Sequence, residues 1–247
     1  MTMASDPGHS HSGARIFVLI HGAWHGGWCW ERVAQRLAAQ GHAVHAPTLA
    51  GVAERAHLAD EHEITLESQT AEVVAHIRDH DLRDIVLVGH SYGGFVVSGV
   101  AEQVADRIRA IVLLDAFVPD DGKALVDYTA PAASAAMRDL FASGARVAPP
   151  IPPAVFRVNE ADRAWVEAMC TPHPIRCFVD PVRLTGARER IARKVYIRAT
   201  DYPSAPFDAA KARLSADPSW IIHGIASGHD VMVDKPDELA EALMRLT

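Results

Sequence analysis

The chain has 247 residues, 49% of them hydrophobic and 22% charged, with a formal net charge of -7 at pH 7. That balance suits a soluble globular protein of one large domain with room for an inserted lobe. Mild acidity gives no general attraction for nucleic acid or an anionic membrane surface, and the longest apolar runs are strand-length, so neither partner nor a bilayer span is expected. Cys29, Cys170 and Cys177 are too few and odd in number for a disulfide framework. They read as free thiols in a reducing compartment, which places the protein in the cytoplasm. Cys170, His173 and Cys177 lack a nearby fourth ligand, so no metal site is expected there.

Residues 1–14 are polar, lack an apolar segment and read as a disordered leader. Arg15 to Ile20 is a continuous apolar run of strand length, the pattern of a strand buried on both faces. A glycine-rich loop, His21 to Trp28, follows, then a helix from about Trp30 to Gln40 with Gly41 at its C-terminal turn. Ala43 to Ala46 is a short strand, Thr48 to Glu63 a loop, and Leu66 to His80 a helix with Val73, Val74 and Ile77 on one side. Asp84 to Val88 is a strand, Gly93 to about Ala105 a helix, and Arg107 to Leu114 the next strand.

The alternation then stops. Residues 119–193 are rich in Ala and Pro, with helical fragments at Ala133 to Phe141 and Glu160 to Met169, and read as a cap inserted over the sheet edge. Alternation resumes with a strand at Lys194 to Ala199, a helix near Ala205 to Leu214, a strand at Trp220 to Ile225 and a helix from Pro236 to Leu246. Six strands alternating with helices predict an α/β fold, a mostly parallel sheet with helices on both faces. The core spans 15–118 and 194–247.

The chain is organised around Gly89-His90-Ser91-Tyr92-Gly93, set between strand and helix. A G-x-S-x-G turn in that context holds its serine on a strained backbone with the hydroxyl exposed, and the helix N-terminus behind it offers N–H groups to a developing oxyanion. A serine nucleophile needs a base, and the base an acid. Among 14 histidines, His229 lies straight after the last strand, at the sheet edge shared with the serine. His90 and His21 read as structural, the latter propping the loop after the first strand, and His25 is a lesser candidate for a pocket wall. The acid has two candidates at strand ends, Asp201 and Asp115. Asp201 is preferred, because its strand comes next before the one leading to His229, and both preserve the order Ser, Asp, His. The oxyanion donors are the backbone N–H groups of Tyr92 and Ala23, with Gly22 as a substrate-binding residue that leaves space for an acyl oxygen.

Together these residues resemble the α/β-hydrolase superfamily and, more narrowly, the plant methylesterase and hydroxynitrile lyase group with its bacterial esterase relatives. The resemblance rests on Val18 to Trp28, Gly89 to Gly94, Ala116 to Asp120, Thr200-Asp201 and Gly228-His229, and is poor in the cap. It implies Ser91 as nucleophile, His229 as base, Asp201 as acid and a homodimer as the assembly. The lyases carry threonine at the place of Gly22 and a cyanide-stabilising lysine at that of Asp230, where an aspartate would repel cyanide. The resemblance therefore implies a serine hydrolase cleaving a small carboxylic ester, aryl or alkyl, through an acyl-enzyme, with no metal or organic cofactor required. A lyase, a cofactor-independent oxygenase, an acyltransferase and a ligand receptor are the competing readings. Trp24, Phe117, Tyr128 and Trp165 are candidates for an apolar substrate pocket, with Phe141, Phe156, Met169 and Phe178 behind them. Arg138, Arg157 and Arg176 are weaker candidates for a substrate carboxylate.

Overall fold

The structure is a computed structural model that describes residues 13–247. The leader expected over 1–14 lies almost wholly outside the described residues. Six strands form one sheet: β1 (Ile16–Ile20), β2 (Ala43–His45), β3 (Ile85–His90), β4 (Ile108–Leu114), β5 (Arg193–Ala199) and β6 (Trp220–Ile225). Their spatial order is β2-β1-β3-β4-β5-β6, and every pairing is parallel. The helices are α1 (Glu31–Ala39), α2 (Leu66–Asp79), α3 (Gly93–Val104), α4 (Pro131–Ala142), α5 (Glu160–Met169), α6 (Ala205–Ser215) and α7 (Pro236–Leu246), with shorter helical turns between them.

The unbroken apolar strands follow from burial on both faces. Val18, Ile20, Leu87, Ile111 and Leu113 point to the side covered by α2, α3 and α6. Phe17, Leu19, Val86, Val88 and Val112 point to the side covered by α1 and α7. Successive residues alternate between two apolar layers, so no position on a central strand can be polar without cost. Each large side chain so buried contributes roughly 1.5–3 kcal/mol relative to exposure. Thr65 opens α2 by accepting from the Ser68 backbone N–H at 3.1 Å, while the Ser68 hydroxyl accepts from the Thr65 N–H at 2.9 Å.

Two features go beyond the sequence reading. The stretch taken as loop before Glu63 holds a helical turn at Leu58–Glu61. Between β4 and β5 the chain carries, besides α4 and α5, a two-residue antiparallel pairing of Val147–Ala148 with His173–Pro174. Pairs this short leave no periodicity to detect.

Register places the functional loops side by side. Ile20 pairs with Gly89 and His90 with Leu114, so the chain leaves β1, β3 and β4 at one sheet edge. The segments His21 to Trp24, Ser91-Tyr92 and Asp115 are thereby neighbours there.

Candidate active site

Ser91 has φ +54°, a left-handed conformation that costs energy for a residue with a Cβ and persists only where the surroundings enforce it. The enforcement is visible. The Ser91 N–H donates to the Leu114 carbonyl at 3.2 Å, and the Ser91 carbonyl accepts from Gly94 at 3.0 Å and Phe117 at 3.2 Å. At Gly89, an added Cβ would lie 2.6 Å from the Gly93 carbonyl oxygen, so only glycine lets β3 and α3 pass this closely.

The loop after β1 closes on this turn. A Cβ on Gly22 would lie 2.9 Å from His90 Nδ1 and 3.0 Å from Ser91 Cβ. Gly22 is therefore needed for close packing; it does not line the cavity, which corrects its assignment as a substrate-binding residue. His21 Nδ1 lies 2.8 Å from the Gly22 carbonyl and its Nε2 accepts from the Leu49 N–H at 3.0 Å. Those partners select the neutral tautomer with hydrogen on Nδ1, and burial lowers the His21 pKa to about 4. His21 thus holds the peptide unit whose N–H belongs to Ala23, the propping role expected of it. Among the described residues, neither the Ala23 nor the Tyr92 N–H has an acceptor, and both residues line the cavity beside Ser91.

His229 Nδ1 donates to Asp115 Oδ2 at 2.6 Å, which leaves Nε2 as the acceptor nitrogen of the ring. Asp115 is fully buried at φ +41°, and its Oδ1 accepts from Arg198 Nη1 at 2.6 Å and the Ala199 N–H at 3.1 Å. The preference for Asp201 is thereby corrected. The Asp201 N–H donates to Ser227 and its carbonyl accepts from Arg157, contacts that leave the residue exposed at the surface. A signal for this was present in the sequence. Asp115 interrupts the apolar run Ile111 to Val118, so it must be buried with partners, whereas Asp201 sits among Thr200, Tyr202, Pro203 and Ser204 in a polar loop.

The cavity has a volume of about 260 Å³ and is lined by Ser91 and His229 together with apolar and aromatic side chains. Trp24 and Phe117 line it as expected, as do Phe156 and Phe178. Tyr128 does not line it: its hydroxyl donates to Asp120 Oδ2 at 3.0 Å, and its ring stands edge-on to Phe95. Trp165 lies elsewhere as well, edge-on to Trp28 with the Arg32 guanidinium over it. Phe141 and Met169 are exposed. Sequence reasoning missed Tyr202 and Phe207, which line the cavity and, with Phe156, surround the His229 ring at centroid distances of 4.9, 5.3 and 5.3 Å. Both follow β5 at the same sheet edge, which was the available signal.

Among the described residues, no Asp, Glu, Lys or Arg lines this cavity. Arg138 pairs with Asp127 and Arg176 with Asp180 and Glu63. Asp230 is fully buried and turns to His25, so neither residue lines the cavity. His25 is therefore no pocket wall, and repulsion of cyanide by Asp230 is not the reason to set the lyase reading aside. His90, His229 and Asp230 lie close enough together for metal ligation. Their closeness is accounted for by hydrogen bonds to Asp115, to His25 and to the His229 carbonyl. His173 Nδ1 accepts from the Trp24 N–H at 3.2 Å, a structural contact.

The fold agrees with what the chain is similar to. Residues 17–242 match the alpha/beta hydrolase family. A carbendazim hydrolyzing esterase from Nocardioides sp. (strain SG-4G) is 40% identical over 239 residues, covering 93% of this chain and 98% of that protein. Esterase PIR7B from Oryza sativa subsp. japonica is 29% identical, covering 96% and 97%. Among solved structures, an extracellular α/β-hydrolase from a Paenibacillus species superposes with a TM-score of 0.80 at 28% identity, covering 94% of this chain and 98% of that one; it is described as sharing structural and functional homology with tobacco salicylic acid binding protein 2. The chain belongs to the α/β-hydrolase family. Within it, the protein is a carboxylic-ester hydrolase related to the bacterial esterases and plant methylesterases.

Proposed function

We propose that Ser91, His229 and Asp115 form the catalytic triad of this esterase. The observation that carries the reading is the 2.6 Å bond from His229 Nδ1 to buried Asp115, in a cavity that also holds Ser91 at φ +54°. Ser91 Oγ attacks the ester carbonyl while His229 Nε2 takes its proton. The tetrahedral oxyanion is met by the N–H groups of Ala23 and Tyr92. His229 then protonates the leaving alcohol, and water, activated by the same ring, releases the acid. Asp115 keeps the ring in the required tautomer and stabilises the imidazolium.

The substrate is a small neutral ester with an aromatic or apolar group, because the described residues give the cavity aromatic walls and no charged side chain to pair with a substrate charge. We read 119–193 as the cap that supplies one wall, through Leu125, Val126, Met137 and Phe178. The three unpaired cysteines support a cytoplasmic location. A homodimer rests on the resemblance alone, and equilibrium sedimentation showing only monomer would overturn it.

Burst kinetics with a short-chain p-nitrophenyl ester test the chemistry. Wild type should show a stoichiometric burst and steady turnover, and Ser91→Ala should lose at least ~10³-fold in kcat. A variant that keeps its activity would sink the acyl-enzyme. Aryl and alkyl esters, carbendazim and a cyanohydrin form the substrate panel. Added alcohol shows whether water is the true acyl acceptor. Cyanohydrin cleavage exceeding ester cleavage would favour the lyase.

A further inference from the structure

Behind the triad lies a second histidine–carboxylate pair that the proposed mechanism does not use. Asp230 Oδ2 lies 3.1 Å from His25 Nε2, and His25 Nδ1 lies 2.8 Å from the Ala23 carbonyl. Both partners are acceptors, so both ring nitrogens must donate, and the ring must be an imidazolium. Its side chain is 3% exposed and that of Asp230 0%. Burial alone would drive the proton off His25; the adjacent Asp230 charge and hydrogen bond outweigh it, so its pKa is raised.

A buried ion pair is an expensive way to fill space, since apolar residues of similar volume would often stabilise the fold as well or better. What it joins is informative. His25 lies in the loop carrying the Ala23 N–H, and Asp230 directly follows His229. A third ring reinforces the junction: His90 Nε2 donates to the His229 carbonyl at 3.0 Å while its other nitrogen abuts Gly22. The chain thus ties the oxyanion loop after β1 to the histidine loop after β6 through buried imidazole rings.

We propose that His25 and Asp230 are positioning residues, a strut that sets the Ala23 N–H and the His229 ring at the separation the transition state requires. This rests on the reading of Ala23 and His229 as catalytic groups. The charge on the strut makes its geometry conditional. When His25 loses a proton, one nitrogen becomes a lone pair facing either the Ala23 carbonyl or the Asp230 carboxylate, and the loops part. The titratable groups facing the pair are His21, His90, His173, Cys29, Cys170, His229, Tyr202 and Asp234. Burial holds the first three neutral by lowering their pKa values and holds both thiols protonated by raising theirs. Alkaline opening of the strut is assigned to His25, because loss of its proton removes one of the two hydrogen bonds that join the loops.

Two measurements on the full chain test this. The first is long-range proton–nitrogen NMR of the imidazole rings. His25 should show two N–H groups at neutral pH and keep them after the exposed histidines have titrated; a single N–H at neutral pH would overturn the proposal. The second is the pH profile of kcat for p-nitrophenyl acetate. Wild type should lose kcat on the alkaline side in step with the NMR titration. Asp230→Asn should lower kcat by about 10–100-fold with KM within ~2-fold, less than deletion of an oxyanion donor, and should move the alkaline limb to lower pH. His25→Gln should lower kcat at every pH and abolish that limb. A folded Asp230→Asn with wild-type kcat and profile would refute the strut. If neither variant folds, coincidence of the wild-type NMR and kcat titrations decides, and their separation refutes it. Full activity in Ser91→Ala would refute the triad instead, while leaving the His25 spectrum intact.

Discussion

Asp115 carries two burdens at one carboxylate: Oδ2 holds His229 and Oδ1 holds Arg198. Asp115→Asn should cost on the order of 10⁴ in kcat, because the amide can hold the ring in the wrong tautomer. Asp201→Asn should stay within ~2-fold, since that side chain makes no contact with His229. Measuring both with one p-nitrophenyl ester separates the two acids directly, and equal losses would refute the assignment. Arg198→Gln strips a charge partner from buried Asp115, with the Arg198 side chain itself 3% exposed. It should destabilise the fold by about 3 kcal/mol in urea titrations, because a buried charge is left uncompensated. At this scale the sequence was legible where chemistry is local. Ser91 lies in a turn whose glycines are forced by close packing, and His229 lies at a strand end. The acid was not, because the choice between two strand-end aspartates depends on which loop folds back over which strand. The path of His229, whose N–H donates to Phe156 in the inserted segment at 2.8 Å, is a long-range fact.

Among the elements, α3 is the pivot. It begins at the Ser91 turn, and it also receives the returning limb of the inserted segment. Glu102 accepts from the Ala187 N–H at 2.9 Å, and the buried Arg188 guanidinium donates to the Ser98 hydroxyl at 3.1 Å and the Pro119 carbonyl at 3.2 Å. Arg188→Ala leaves those two acceptors unpaired and should cost about 1–3 kcal/mol of stability, read as a lower urea midpoint. An unchanged midpoint would show the limb to be held by other contacts. The strands were readable because two-sided burial demands unbroken apolar runs. The inserted segment was not, because its elements are short and its aromatic residues divide between cavity, second apolar layer and surface. Phe156 and Phe178 reach the cavity while Phe141 is exposed, and nothing in the pattern separates them.

For the whole molecule, the buried histidines set the acid limit. His21, His90 and His173 are kept neutral by burial, with pKa values below the ordinary 6.5. In the unfolded chain they would protonate near 6.5, so below that pH the unfolded state binds protons that the native state refuses. Stability should fall with acidification by on the order of 1 kcal/mol per pH unit for each group. His25 has the opposite sign: its contribution is complete below 6.5 and is lost as pH rises through its raised folded value. Urea midpoints should therefore be lower at pH 5 than at pH 7. A rise toward pH 5 would show that these rings are charged in the native state.

If Asp115 serves as the acid, the proposed nucleophile and its carboxylate follow adjacent strands, β3 and β4, and lie only 24 positions apart, as their numbering shows. The turn after β5 is then released from proton chemistry, yet Tyr202 and Ser204 in it still face the cavity. It is a place where selection can retune substrate range without replacing a proposed catalytic group, although Tyr202 packs against the His229 ring. A library randomised over 201–204 should yield variants that exchange one ester preference for another while retaining turnover, an evolutionary freedom that an enzyme with its acid in that turn would lack.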